Sequence, residues 1–152
     1  MLTFSFGGVP RVSASSRSPD GRVVAEVYET GWNMFDRHFA VRLTTYRLGI
    51  IPIRHVVFIS PEEAKNSRDR LIWSRDGRHV LMLGTTLYTK TGCLASGERL
   101  YLLVDTRTME TASNAYVTNT RRFSSQDLAG MDFGIDLTPG VWDERYRRCV
   151  PS

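Results

Sequence analysis

A five-residue turn that occurs twice limits what this chain can fold into more than any other feature. Ser18-Pro19-Asp20-Gly21-Arg22 returns 56 residues later as Ser74-Arg75-Asp76-Gly77-Arg78. The aspartate can bond back to its own backbone, and the glycine takes a positive φ at no steric cost. In the first copy Pro19 also presets φ near −65°. Each copy opens onto an apolar run, Val23 to Tyr28 and His79 to Leu83. Self-similarity at a fixed period is the mark of stacked structural units. The repeat therefore predicts a β architecture built from two similar pieces.

The chain has 152 residues, which fits one domain, and its 41% hydrophobic content suits one real core. Twenty basic against 16 acidic side chains leave a net charge of +4. That mild excess is not the footprint of a nucleic-acid binder. No apolar run approaches the ~18 residues of a membrane span. The opening Met1 to Val9 lacks a basic n-region, so the expectation is a cytoplasmic protein unless a leader is missing from this chain. Cys93 and Cys149 share no metal-type spacing with each other or with His38, His55 or His79. They read as two free thiols. The alternative is a single disulfide tying the tail to the loop before Glu98, and it would imply an oxidising compartment.

Alternation then places the strands. Residues 11–16 read as a short polar strand. Val23, Ala25 and Val27 share one face of the next, with Val24, Glu26 and Tyr28 on the other. Neither face is strongly polar, so this strand is expected between two layers. Phe39, Val41 and Leu43 alternate with polar neighbours over 38–46, and Arg54 to Ile59 forms a further strand whose start Pro52 limits. Leu71 to Ser74 leads into the second turn. Strands follow over 78–84 and 98–106, then a turn at Asp105 to Thr108 and a return over 111–117. Ser60-Pro61-Glu62-Glu63 is a helix-start signal and predicts a short helix over 61–66. Thr138-Pro139-Gly140 followed by Asp143 and Glu144, then Arg145, Arg147 and Arg148, matches the polarity of a helix dipole and predicts a helix over 139–148.

Trp73-Ser74-Arg75-Asp76-Gly77-Arg78, an apolar strand, and Leu100-Tyr101-Leu102-Leu103-Val104-Asp105 together resemble the blade repeat of TolB-type β-propellers. Ser18 to Arg22 matches the core of that repeat, with Arg17 in place of the tryptophan. The resemblance covers about residues 12–117. It implies an all-β fold of two antiparallel, propeller-blade-like sheets packed together, each of three or four strands, with the short helices at 61–66 and 139–148. The single β domain divides into a unit over 11–59, a second over 71–117 and a C-terminal extension over 118–152. Propellers need about four to eight blades. Two blades leave three arrangements: a two-sheet sandwich, a ring of several copies, or a subunit whose open faces are covered by a partner. The repeat carries no catalytic residues.

Little else in the chain points to chemistry. No G-x-S-x-G sequence is present, and Ser18 and Ser74 sit in turns, so no catalytic residue is assigned. The histidines are too far apart in sequence for a metal motif, and no glycine-rich loop opens a helix, so no metal or cofactor is assigned. Arg121-Arg122-Phe123 and Tyr146-Arg147-Arg148 set guanidinium groups beside aromatics, as in single-strand binders, but two small clusters read better as a solvated face or a contact with an acidic protein. Trp32, Met34 and Phe35 stand where a hairpin loop is normally polar, and such side chains are enriched in interface cores. The expected function is a non-enzymatic protein–protein interaction module or accessory subunit, with Trp32, Met34, Phe35, Arg121, Arg122, Trp142, Arg147 and Arg148 as contact residues. The alternative is a carbohydrate or other small-ligand binding module formed by a homo-oligomeric ring.

Overall fold

Every regular element in the computed structural model, which describes residues 11–30, 38–59, 70–84, 92–95, 100–113, 121–122 and 131–151, is a β-strand. Strands β1 (Arg11–Arg17), β2 (Val23–Thr30), β3 (His38–Arg47) and β4 (Ile51–Ile59) form one antiparallel meander in that spatial order. The second sheet runs β10-β9-β8-β6-β5, from β5 (Arg70–Trp73), β6 (His79–Gly84), β8 (Leu100–Asp105), β9 (Thr111–Ser113) and β10 (Arg121–Arg122). Its pairs are antiparallel except β9 with β10. A third sheet joins β7 (Gly92–Leu94) to the hairpin of β11 (Pro139–Asp143) and β12 (Arg148–Pro151).

The period of two in each strand sorts side chains into two cores. Ala25, Val27, Phe39, Val41, Leu43 and Phe58 of the first sheet meet Val80, Met82, Leu102 and Val104 of the second. The rings of Phe39 and Phe58 lie tilted with centroids 5.6 Å apart. The alternate residues Leu81, Leu83, Leu103 and Ala112 pack on the other face of the second sheet, under Leu94 of β7 and Phe133. The second sheet is therefore covered on both faces. The same holds for β2, where Val24 and Tyr28 are buried as well as Ala25 and Val27.

The two copies of the turn fold alike. In each, the serine hydroxyl donates to the aspartate carboxylate at 2.6 Å, and the arginine N–H donates to that carboxylate at 3.0 Å. The first strand residue, Val23 or His79, donates its N–H to the serine oxygen at 3.0 Å. Gly21 and Gly77 have φ of 74° and 71°, the left-handed region that only glycine enters freely. The two turns also lie side by side. A Cβ on Gly77 would sit 3.5 Å from Pro19 Cδ, and the Trp73 indole N–H donates to Ser16 Oγ at 3.1 Å.

Three expectations are corrected. Residues 139–148 are a hairpin and not a helix. The Asp143 carboxylate accepts from the N–H groups of Arg145 and Tyr146, which caps a tight turn that Arg147 completes at φ 50°. Pro139 to Val141 meanwhile pair with β7. The cysteines are not free thiols: Cys93 and Cys149 form a disulfide that fastens β7 to β12. The expected two sheets are three: the extension over 118–152 adds β10 to the second sheet, and its β11 and β12 join β7 in a third. The expected helix at 61–66 lies outside the described residues.

Candidate functional site

Apolar side chains left in water are concentrated on one element. Among the described residues, Tyr46, Leu48, Ile50, Ile51, Ile53, Val56 and Ile59 are large hydrophobics exposed on the β3–β4 hairpin, against only Val12, Val141 and Tyr146 elsewhere. The reason is geometric. Val41, Leu43 and Phe58 reach the shared core, whereas Ile51 and Ile53, paired with Arg47 and Thr45 nearer the hairpin turn, are left exposed. β4 is also an edge strand. Pro52 cannot donate a hydrogen bond, and the register shift opposite Val41 and Arg42 bulges the strand at Val57. Proline and bulges are devices that blunt an edge against pairing with another strand.

At the apex, Leu48 and Ile50 are 83% and 78% exposed. Leu48 has φ 54° and Gly49 φ 75°, while the Ile50 N–H donates to the Arg47 carbonyl at 3.2 Å. Two consecutive positive φ values are those of a type I′ turn, which favours Asn-Gly or Gly-Gly. Between this apex and the first Asp-Gly turn runs an open groove of about 670 Å³, lined by Arg17, Gly21, Arg22, Val23, Thr45, Tyr46 and Gly49. Its charged lining is entirely basic. The neighbouring Asp20 is engaged by Ser18 and Arg22, whose hydrogen bonds hold its carboxyl below the usual range.

The second cluster surrounds Asp105 at the end of the second sheet. Its carboxylate accepts from the Arg107 N–H at 2.9 Å and from the Arg78 guanidinium at 3.1 Å, with His79 Nε2 3.5 Å away. Burial raises the Asp105 pKa, but the N–H of Arg107 and the guanidinium of Arg78 outweigh it and leave the group below its ordinary value. His79 Nδ1 is buried without a hydrogen-bond partner, between small cavities of about 80 and 360 Å³. The nearby Ser74 hydroxyl is committed to Asp76 and to the backbone of His79. The arrangement orients an imidazole and closes a turn. It does not aim a nucleophile at that imidazole.

The residues expected to make contacts are distributed as follows. Trp142, Arg147 and Arg148 share the β11–β12 hairpin. Trp142 is half-buried and pairs with Cys149, Arg147 is exposed in the turn, and Arg148 and Arg145 stack their guanidinium groups over the Tyr146 ring at 5.3 and 5.5 Å. Arg121 and Arg122 form β10, with side chains outside the described set. Trp32, Met34 and Phe35 lie outside the described residues. The hairpin apex was not among the expected contact residues. Its sequence signal was Leu48-Gly49 between apolar runs in a stretch, residues 38–59, that contains no Asp or Glu.

Among the described residues no His, Cys, Asp and Glu side chains converge in a metal-binding group, and no helix is long and apolar enough to cross a membrane. Set against family models, curated proteins and solved structures, the chain matches none.

Proposed function

We propose that the protein is a non-enzymatic contact module, an accessory subunit that docks on a protein partner through the exposed side of β4. The observation behind this reading is Val56 and Ile59, exposed on one face of an edge strand that Pro52 and the Val57 bulge protect from strand pairing. Exposed apolar surface gathered in one place marks an interaction site far better than the same residues scattered. Arg54 and His55, both exposed in the same strand, favour a partner with acidic residues at the rim. The two meanders are read as successive propeller-type blades, supported by the side-by-side placement of their equivalent turns. The disulfide favours an oxidising compartment, since such bonds seldom persist in reducing cytosol.

The test is site-specific photo-crosslinking in the native setting. A photoreactive residue at Val56 or Ile59 is expected to give one adduct of defined mass, while the same residue at exposed Ser15 on β1 gives none. Equal labelling from both strands, or none from β4, would count against the reading.

A ring of copies remains the second reading, favoured by the same side-by-side turns. Light scattering decides it. A closed oligomer supports a ring and a small-ligand screen, and a monomer supports the accessory subunit.

A further inference from the structure

We propose that the apex of the β3–β4 hairpin is a membrane-docking tip that inserts into the surface of an anionic bilayer. The surface is separate from the β4 row assigned to a protein partner and rests on a different observation, the order of residues with depth. At the outermost point stand Leu48 and Ile50, 83% and 78% exposed, with Ile51 beside them. Behind them come Tyr46 and Arg47, both exposed, and behind these the groove that carries Arg17 and Arg22. Hydrocarbon first, then an aromatic ring, then cations is the order a bilayer presents in reverse: acyl chains, the headgroup boundary and the phosphates.

Two further facts select this occupant. Leu48 and Ile50 project into solvent, whereas a protein anchor residue is normally received in a pocket and stabilised there by complete desolvation. A flat, deformable surface receives a projecting tip without needing shape complementarity. Charge disfavours tip-to-tip pairing with a second copy of this chain, because the strands that carry the tip contain Arg42, Arg47 and Arg54 and no acidic residue, and among the described residues Arg42 alone of the three is seen in an ion pair, with Glu26 of β2. Two such tips repel. Anionic lipid attracts them, with each basic residue near the surface adding about fivefold in affinity.

The backbone supports the same assignment. Leu48 holds a left-handed conformation that costs an L-residue with a Cβ roughly 1–2 kcal/mol, at a position where asparagine or glycine fits freely. The side chain makes no compensating burial, since it is the most exposed of the large hydrophobics among the described residues. A strained residue whose side chain gains nothing inside the protein is explained by what it touches outside.

The experiment is sedimentation of the purified chain with vesicles of phosphatidylcholine alone and of phosphatidylcholine with phosphatidylserine in roughly equal parts. Binding is expected to the mixed vesicles, weakening as salt is raised, and weak or absent to phosphatidylcholine. Leu48→Asn with Ile50→Ser should reduce binding at least about tenfold. That variant relieves the strained turn, so it will not fail by unfolding, and thermal denaturation checks this. Arg17→Gln with Arg22→Gln should lower binding to the mixed vesicles and flatten its salt dependence. Failure of the chain to sediment with anionic vesicles overturns the proposal, and so does an apex variant that binds like the parent. A dimer in light scattering that the apex variant dissociates overturns it in favour of a copy interface. Crosslinking from Val56 is read independently, so loss of one function leaves the other standing.

Discussion

The indole nitrogen of Trp73 donates to the hydroxyl of Ser16 at 3.1 Å, joining the last residue of β5 to a residue of β1 in another sheet. The ring itself packs against the core shared by the two sheets. Trp73→Phe keeps most of that packing and removes the donor. The expected loss is about 1 kcal/mol of stability in denaturant unfolding. Ser16→Ala should cost a similar amount, and the double variant little more, because both act on one hydrogen bond.

Gly21 and Gly77 occupy equivalent left-handed positions. Alanine at either should cost roughly 1–2 kcal/mol through backbone strain, with asparagine losing less. Space does not distinguish the two sites, since an added Cβ meets only ordinary contacts at each. Chemical denaturation of Gly21→Ala and Gly77→Ala should give matching losses. Unequal losses would show that the two turns do not share one energetic role.

Asp20 and Asp76 are held below the usual carboxylate range, first by the serine hydroxyls of Ser18 and Ser74 and then by the N–H groups of Arg22 and Arg78. A depressed carboxyl binds protons less readily folded than unfolded. Its contribution is complete above the ordinary value of about 3.9 and disappears as pH falls through the lower folded value. Stability should therefore fall as pH drops below about 4. The Asp20→Asn, Asp76→Asn double variant keeps an acceptor but cannot titrate, and its stability should depend less on pH in that window. Urea midpoints measured against pH check this.

Gly140 lies against the disulfide. A Cβ there would stand 2.6 Å from Cys149 Sγ and 2.6 Å from the Val150 carbonyl oxygen. Gly140→Ala should destabilise the third sheet by roughly 1–3 kcal/mol. Hydrogen exchange should accelerate in β7, β11 and β12 while β2 and β3 remain protected. Uniform acceleration across all three sheets would show that the third is not a separable layer.

Opening the disulfide tests the same layer from the covalent side. The bond closes a loop with a sequence separation of 56, for which chain entropy gives about 4 kcal/mol. Cys93→Ser with Cys149→Ser is expected to approach that loss, with Phe133 and Leu94 exposed first. Near-native stability of the variant would mean that β7 holds β11 by pairing alone.

What could be read from the sequence followed from how local each cause is. The Ser-x-Asp-Gly-Arg turns are built within six residues, so Ser18, Asp20 and Gly21 announce them without reference to the rest of the chain. The alternation of Phe39, Val41 and Leu43 is equally local. The C-terminal hairpin was misread because Asp143 serves a helix cap and a tight turn with the same carboxylate, and only the pairing of Val141 with Gly92 decides between them. The disulfide depends on that same distant pairing. Leu48 and Ile50 drew no reading from the sequence, since their exposure depends on which layers pack beside the hairpin turn.

In covalent terms the Cys93–Cys149 bond makes a ring of residues 93–149 and leaves β1 to β6 as an open arm. The boundary between ring and arm runs through the second sheet, where β6 on the arm pairs with β8 inside the ring. One proteolytic cut within the ring therefore releases nothing: both ends stay tied until the sulfurs are reduced. One cut in the arm before Cys93 parts the chain covalently, and only the packed sheets then keep its pieces together.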